Sequence, residues 1–362
     1  MGIFAQATVA GQDKAHSFAI IFERMKFLII RFSSIGDIVL TTPVVRCLKK
    51  QSPDAQVHYL TKKTFSSILS SSPYIDKLHL LKDDFDEMIA ALKEEKFDFI
   101  IDLHHNLRTL KVKKALGVKA FSFNKLNIEK WMLTALKIDR MPAVHIVDRS
   151  MATVKSFGVS NDGLGLDYFI PKEDEIRESD LPLPHQLSYI GIVIGAALAT
   201  KQLPFHKLEE LCRLIEHPIV LLGGPEDRSM GDLLALKNPE KIYNSCGRFR
   251  LNESAGLVKK AKVIITHDTG LMHIAAAFKK PIISIWGNTV PAFGMTAYYG
   301  EVYERSIHKK AMDIRFEVKG LRCRPCSKIG YAKCPKGHFK CMEQQDVNAI
   351  AKLAMSWVTG QK

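Results

Sequence analysis

The chain has 362 residues, 46% of them apolar and 25% charged, with a formal net charge of +14. That length holds two domains with separate cores, and no apolar run nears the roughly 20 residues that a membrane-spanning helix needs. The charge points to anionic partners such as a nucleotide, a phosphorylated glycolipid, a membrane surface or nucleic acid, although a basic surface serving solubility alone also fits.

Residues 1–24 mix Gly, Ala, Gln and Asp ahead of a short apolar piece and lack the pattern of a secretory signal. They are expected to be a disordered or non-native extension, with Met25 as the natural start. Residues 26–32 read as the first strand, and 37–50 as a helix with Pro43 inside its first turns. Strands are expected at 56–60 and 75–81, and an amphipathic helix at 85–95 presents Met88, Ile89 and Leu92 on one face. A continuous apolar strand at 97–103, a basic helix at 106–116 and a helix at 145–157 complete this half.

The stretch from Gly158 to His185 has no periodicity and carries Pro171, Pro182 and Pro184. The alternation then restarts, with strands at 188–194, 218–222, 261–266 and 281–286 and helices at 204–216, 227–236, 251–260 and 270–278. The pattern predicts an α/β protein of two doubly wound, Rossmann-like domains, 25–165 and 187–345, joined by a linker at 166–186 and followed by a helix at 346–362. A cleft between the domains is the expected ligand site.

The polar motifs fall where strands hand over to helices, the edge at which open parallel sheets bind ligands. Ser33-Ser34-Ile35-Gly36-Asp37 follows the first strand. Asp37 fits a helix cap, and it also fits a general base facing the cleft. Thr200 and Lys201 put a hydroxyl and a cation after the first strand of the second half. Glu226, in Gly223-Gly224-Pro225-Glu226-Asp227, is placed like an acid on ribose hydroxyls, or else Glu226 or Asp227 caps the next helix. His267-Asp268-Thr269-Gly270 precedes an alanine-rich helix whose N-terminus suits a phosphate. Trp286 and Asn288 follow the next strand and can line a nucleotide pocket. There is no Walker motif, no G-x-G-x-x-G after a strand and no nucleic-acid module, which argues against ATPases, dehydrogenases and nucleic-acid partners.

Of seven cysteines, Cys47, Cys212 and Cys246 are scattered and read as packing residues, which indicates a reducing, cytoplasmic compartment. Cys323, Cys326, Cys334 and Cys341 crowd into one segment with His338. They fit a structural zinc site, with reduced core thiols or a local disulfide as alternatives.

The strand followed by Ser33–Asp37, paired with Asp268-Thr269-Gly270-Leu271-Met272-His273-Ile274-Ala275-Ala276-Ala277, resembles glycosyltransferase family 9, the lipopolysaccharide core heptosyltransferases and their relatives, from Met25 to about Val347. The resemblance implies a GT-B fold and transfer of a heptose from an ADP-sugar donor, with inversion and without a catalytic cofactor. It implies Asp37 as the base with Ser34 and Gly36 beside the acceptor, and Thr200 and Lys201 on the donor. It likewise implies Glu226 on the ribose, Asp268, Thr269, Gly270 and His273 as the donor-binding turn, and Arg108, Lys111 and Arg149 facing a phosphorylated or Kdo-bearing glycolipid. The acceptor would be met by peripheral contact at the cytoplasmic face of the inner membrane. A non-catalytic nucleotide-sugar-binding module and a GT-B sugar-nucleotide epimerase are the rival readings.

Overall fold

The computed structural model describes residues 25–306 and 312–360. The expectation for residues 1–24 and the end of the C-terminal helix lie outside the described residues.

The first half runs β1 (Lys26–Ile30), α1 (Ile35–Val39), α2 (Thr42–Gln51), β2 (Gln56–Lys62), β3 (Lys77–Leu81), α3 (Phe85–Glu94), β4 (Phe99–Asp102), α4 (Leu107–Leu116), β5 (Lys119–Ser122), α5 (Asn127–Trp131) and α6 (Ile146–Met151). The second runs β6 (Ile190–Val193), α7 (Phe205–Leu214), β7 (Ile219–Leu222), α8 (Arg228–Ala235), β8 (Ile242–Asn244), α9 (Leu251–Lys260), β9 (Val263–His267), α10 (Gly270–Ala277), β10 (Ile282–Trp286), β11 (Asp313–Glu317) and α11 (Val347–Thr359).

Both sheets are parallel. Their orders are β3-β2-β1-β4-β5 and β11-β10-β9-β6-β7-β8. In each, the first strand lies inside the sheet, the next two wind one way and the rest wind the other. The reversal opens a crevice beyond the carboxyl ends of the two central strands. In the first sheet those are β1 and β4, so the Ser33–Asp37 turn stands at the switch point. In the second they are β6 and β9, which places the loop carrying Lys201 beside the Asp268–Gly270 turn.

Apolar residues on both faces of these strands explain why they are central. Phe27 and Ile29 pack with Val44, Val45 and Leu48 of α2, while Leu28 and Ile30 pack with Met88, Leu92 and Val112. In the second half Ile190 and Ile192 meet Leu208, Leu211 and Ile350.

The expected helix at 37–50 is two helices. Pro43 lacks the N–H that would bond the Val39 carbonyl, and Thr42 Oγ1 donates to that oxygen instead, at 2.8 Å. The turn at Leu40–Thr41 leaves α1 as a separate short helix carrying Asp37. The linker is also packed rather than loose: Leu166, Tyr168 and Ile176 are buried, Tyr168 donates to Asn252 at 2.7 Å, and the buried Arg46 guanidinium pairs with Asp162 at 2.8 Å and with Asp167.

Candidate active site

Asp37 is built from its own turn. Its Oδ2 accepts from the Ser34 amide at 3.1 Å and the Ser34 hydroxyl at 2.8 Å, and its Oδ1 pairs with Arg31 at 2.5 Å. Arg31 is fixed in turn by donating to the Ser33 carbonyl at 2.8 Å. Burial pushes the Asp37 carboxyl up, but the Arg31 guanidinium and the Ser34 donors outweigh it and hold the group below the usual carboxylate range. Asp37 thus completes a capping box with the N-cap Ser34 at the first turn of α1, and its carboxyl stays ionised.

The second half brings Lys201 Nζ to 2.6 Å from Asp268 Oδ2. Asp268 Oδ2 also accepts from Thr289 Oγ1 at 3.0 Å. Thr269 is the N-cap of α10, and its side chain makes no capping bond, so the first-turn N–H groups remain available to an anion. His273, one turn on, is 2% exposed, and burial pushes its imidazole down to about 4. The carboxylates of both Asp37 and Asp268 act on it, so this neutral ring stands between the two motifs.

Glu226 is exposed, folds back over Gly224, and has no hydrogen-bond or ion-pair partner among the described residues. Asp227 holds the N-cap position of α8 but makes no side-chain bond to that helix; its Oδ2 accepts from the Gly224 amide of the preceding turn at 2.9 Å. Thr200 is buried and its hydroxyl is occupied, accepting from the Tyr331 amide at 2.8 Å and lying 3.2 Å from the Asn288 side-chain amide. Its role is to fix the loop that carries Lys201. Trp286 is 1% exposed and donates to Ser284 at 3.0 Å, which makes it a core residue rather than a pocket wall.

Arg149 reaches the boundary between the halves, where its Nη2 donates to the Phe293 carbonyl at 3.1 Å. Arg108 and Lys111 are exposed on α4 and are not gathered with it. Lys125 and Lys130 are: the charge of Arg149 bears on Lys130, and those of Asp37 and Lys328 bear on both lysines. Arg31, Lys125, Lys130 and Lys328 are not among the residues expected from the sequence. A lone arginine inside the apolar run Lys26–Phe32 was a signal for the first; the others carry none.

Cys323 Sγ lies 3.8 Å from His338 Nε2. The thiols of Cys326 and Cys341 are pushed up by burial and by neighbouring cysteines, Cys334 among them. His58, His79 and Glu95 form a separate cluster within metal-ligand reach of one another. It lies where the chain enters β4, at the sheet edge opposite Asp37, and Lys26 and Lys77 already occupy Glu95.

A solved glycosyltransferase family 9 structure from Veillonella parvula superposes with a TM-score of 0.73 at 21% identity, covering 93% of this chain and 98% of that one. The E. coli ADP-heptose LPS heptosyltransferase II gives a TM-score of 0.67 at 18% identity, covering 93% and 100%. Lipopolysaccharide heptosyltransferase 1 of Campylobacter coli is 25% identical over 315 residues, 79% of this chain and 88% of the relative. Two doubly wound domains, with motifs at both switch points meeting across one cleft, give this chain the GT-B fold. Residues 86–313 match the model of glycosyltransferase family 9 (heptosyltransferase), and the chain belongs to that family.

Proposed function

We propose that the protein transfers a heptose from ADP-heptose to an anionic acceptor of the lipopolysaccharide core, in one displacement that inverts the anomeric carbon. The observation that carries this reading is the ionised Asp37 lying across the cleft from an open helix N-terminus flanked by Lys201. The names of similar proteins, an ADP-heptose enzyme and a lipopolysaccharide heptosyltransferase, supply the sugar and the acceptor class.

The acceptor hydroxyl gives its proton to Asp37 as its oxygen bonds to the anomeric carbon, and the bond to the donor phosphate breaks. Arg31 and Ser34 fix the carboxylate's orientation and keep it ionised, which also limits its basicity. General-base help of this kind is worth about 10²–10⁴-fold. The leaving ADP gains charge, which Lys201 and the N–H groups of the α10 first turn are placed to receive. Glu226 takes the ribose hydroxyls. The test is incubation with ADP-heptose and a heptose-deficient core glycolipid, followed by mass spectrometry for a gain of one heptosyl unit.

Contact with the inner membrane is proposed for the face around α4 and α5. Leu107, Ile128, Trp131 and Leu136 are at least half exposed there, with Arg108 and Lys111 on the same segment. Exposed apolar residues beside cations suit an anionic lipid surface. No described helix is long and apolar enough to cross a membrane. Cys323, Cys326, Cys334 and Cys341 are proposed to hold a structural metal, supported by the Cys323, Cys326 and Cys334 thiols lying close enough to act on Cys341. Elemental analysis of the purified protein tests this.

A further inference from the structure

We infer that the Cys-rich lobe, residues 323–341, is a third part of the active site: it carries Lys328 into the cleft to complete, with Lys125, Lys130 and Arg149, a site for an oxyanion on the acceptor beside the reacting hydroxyl. This inference rests on the transferase reading above.

The lobe is tied to the donor half. Arg324 Nε donates to the Gly287 carbonyl at 2.5 Å, Nη2 donates to the Thr289 carbonyl at 2.9 Å, and Nη1 pairs with Glu317 at 2.7 Å. The Cys326 amide donates to the Asn288 carbonyl at 3.2 Å. Tyr331 and Thr200 are joined by bonds from Tyr331 N to Thr200 Oγ1 at 2.8 Å and from Thr200 N and Oγ1 to the Tyr331 carbonyl at 3.2 and 3.1 Å. The lobe is also tied to the acceptor half, through Lys137 Nζ donating to the Pro325 carbonyl at 2.6 Å and the Cys323 carbonyl at 3.3 Å. It therefore spans the cleft.

Lys328 stands on a tight turn closed by the Gly330 amide donating to Ser327 Oγ at 2.6 Å. Its charge bears on Lys125 and Lys130, the charge of Arg149 bears on Lys130, and both lysines also feel Asp37. No described carboxylate forms an ion pair with Lys125, Lys130, Lys328 or Arg149. Arg149 is 7% exposed and its Nε is buried without a partner. Burial first, then Arg149 and Lys328, push the Lys130 amine down to about 8. Asp37, Asp102 and Glu129 act on these cations only through space, and an anion bound among them relieves both their mutual repulsion and the orphaned donor.

The same lobe forms one side of an outer groove of about 640 Å³. Thr134 and Lys137 line one side and Arg322, Lys336, His338 and Lys340 the other, with no acidic residue in its lining. The segment from Lys125 to Lys137 thus joins an inner cation cluster to an outer cationic groove, which suits an acceptor with more than one anionic substituent. The shared ligand chemistry is a sugar-borne carboxylate or phosphate.

The test is calorimetric titration of the full chain with a delipidated core oligosaccharide, its carboxyl-reduced form and its dephosphorylated form. A charge-assisted contact predicts that wild type binds the native oligosaccharide about 10-fold or more tighter than one neutralised form, and which form loses affinity identifies the anion. Lys328→Ala removes most of that preference, Lys328→Arg restores it, and ADP affinity stays unchanged in both. Equal binding of all three oligosaccharides by wild type, or wild-type binding by Lys328→Ala, overturns the inference. Since this is read without turnover, a preserved charge preference in a protein that transfers no sugar would defeat the transferase reading alone.

Discussion

Gly36 of α1 lies against the imidazole of His273 of α10: a Cβ placed on Gly36 would stand 2.5 Å from His273 Cδ2. The approach is reciprocal, since a Cβ on Gly270 would stand 2.8 Å from Ile35. The two switch-point motifs thus touch, and the glycines are required for backbone approach rather than for an unusual φ. Gly36→Ala must push α1 and α10 apart. Overpacking of this kind costs about 1–3 kcal/mol, and the predicted loss in kcat/KM is about 10-fold or more because misplacement at the reacting centre is amplified. Gly36→Ala combined with His273→Ala should recover much of that loss. Steady-state kinetics of the three variants check it.

Acid stability follows from buried histidines. Burial holds His79, His104, His145, His267 and His273 at about 4, below the ordinary histidine value near 6.5. Between those values the unfolded chain binds more protons, so stability rises with pH. It is fully present above about 6.5 and is lost as pH falls towards 4. Thermal melts from neutral to acid pH should show a falling midpoint, with a shallower slope in His79→Gln.

Donor binding separates into two contacts. Lys201→Ala should raise the donor KM about 10-fold or more, in line with a lost charged hydrogen bond, and should lower kcat as well because the leaving phosphate gains charge. Glu226→Gln should abolish the preference for ADP over 2′-deoxy-ADP while sparing kcat. Competition by the two nucleotides distinguishes these effects.

The membrane face is tested with vesicles. The protein should sediment with vesicles rich in phosphatidylglycerol and not with phosphatidylcholine alone, and binding should weaken with salt. Trp131→Ala with Leu107→Ser should reduce it further without altering transfer to a delipidated acceptor.

The motifs were legible in the sequence because parallel strands buried on both faces announce themselves as apolar runs, and the polar residues after each run fall at the ligand edge. Asp37, Lys201 and the Asp268–Gly270 turn were all found in that way. The short edge strands β5, β8 and β11 were not: Lys119-Ala120-Phe121-Ser122, for example, mixes exposed and half-buried positions. The place of Lys328 was also hidden, since it depends on bonds from Tyr331 to Thr200, 131 residues apart. No local pattern encodes such a contact. Arg149 was legible only as a charge, and its neighbours Lys125 and Lys130 emerged from the packing of α5.

Asp37 is proposed as the base of a glycosyl transfer. Asp37→Asn keeps the shape of the side chain, and its amide oxygen can still accept from Ser34. The most direct measurement is single-turnover transfer from ADP-heptose to a heptose-deficient core acceptor, by wild type and Asp37→Asn, across pH. Wild type should be flat through neutral pH and fall only in acid, since the Asp37 carboxyl lies below the usual range. The variant should lose about 10²–10⁴-fold in rate and the acid limb, with donor affinity unchanged. Transfer by Asp37→Asn within a few fold of wild type, with the acid limb intact, would show that Asp37 is not the base.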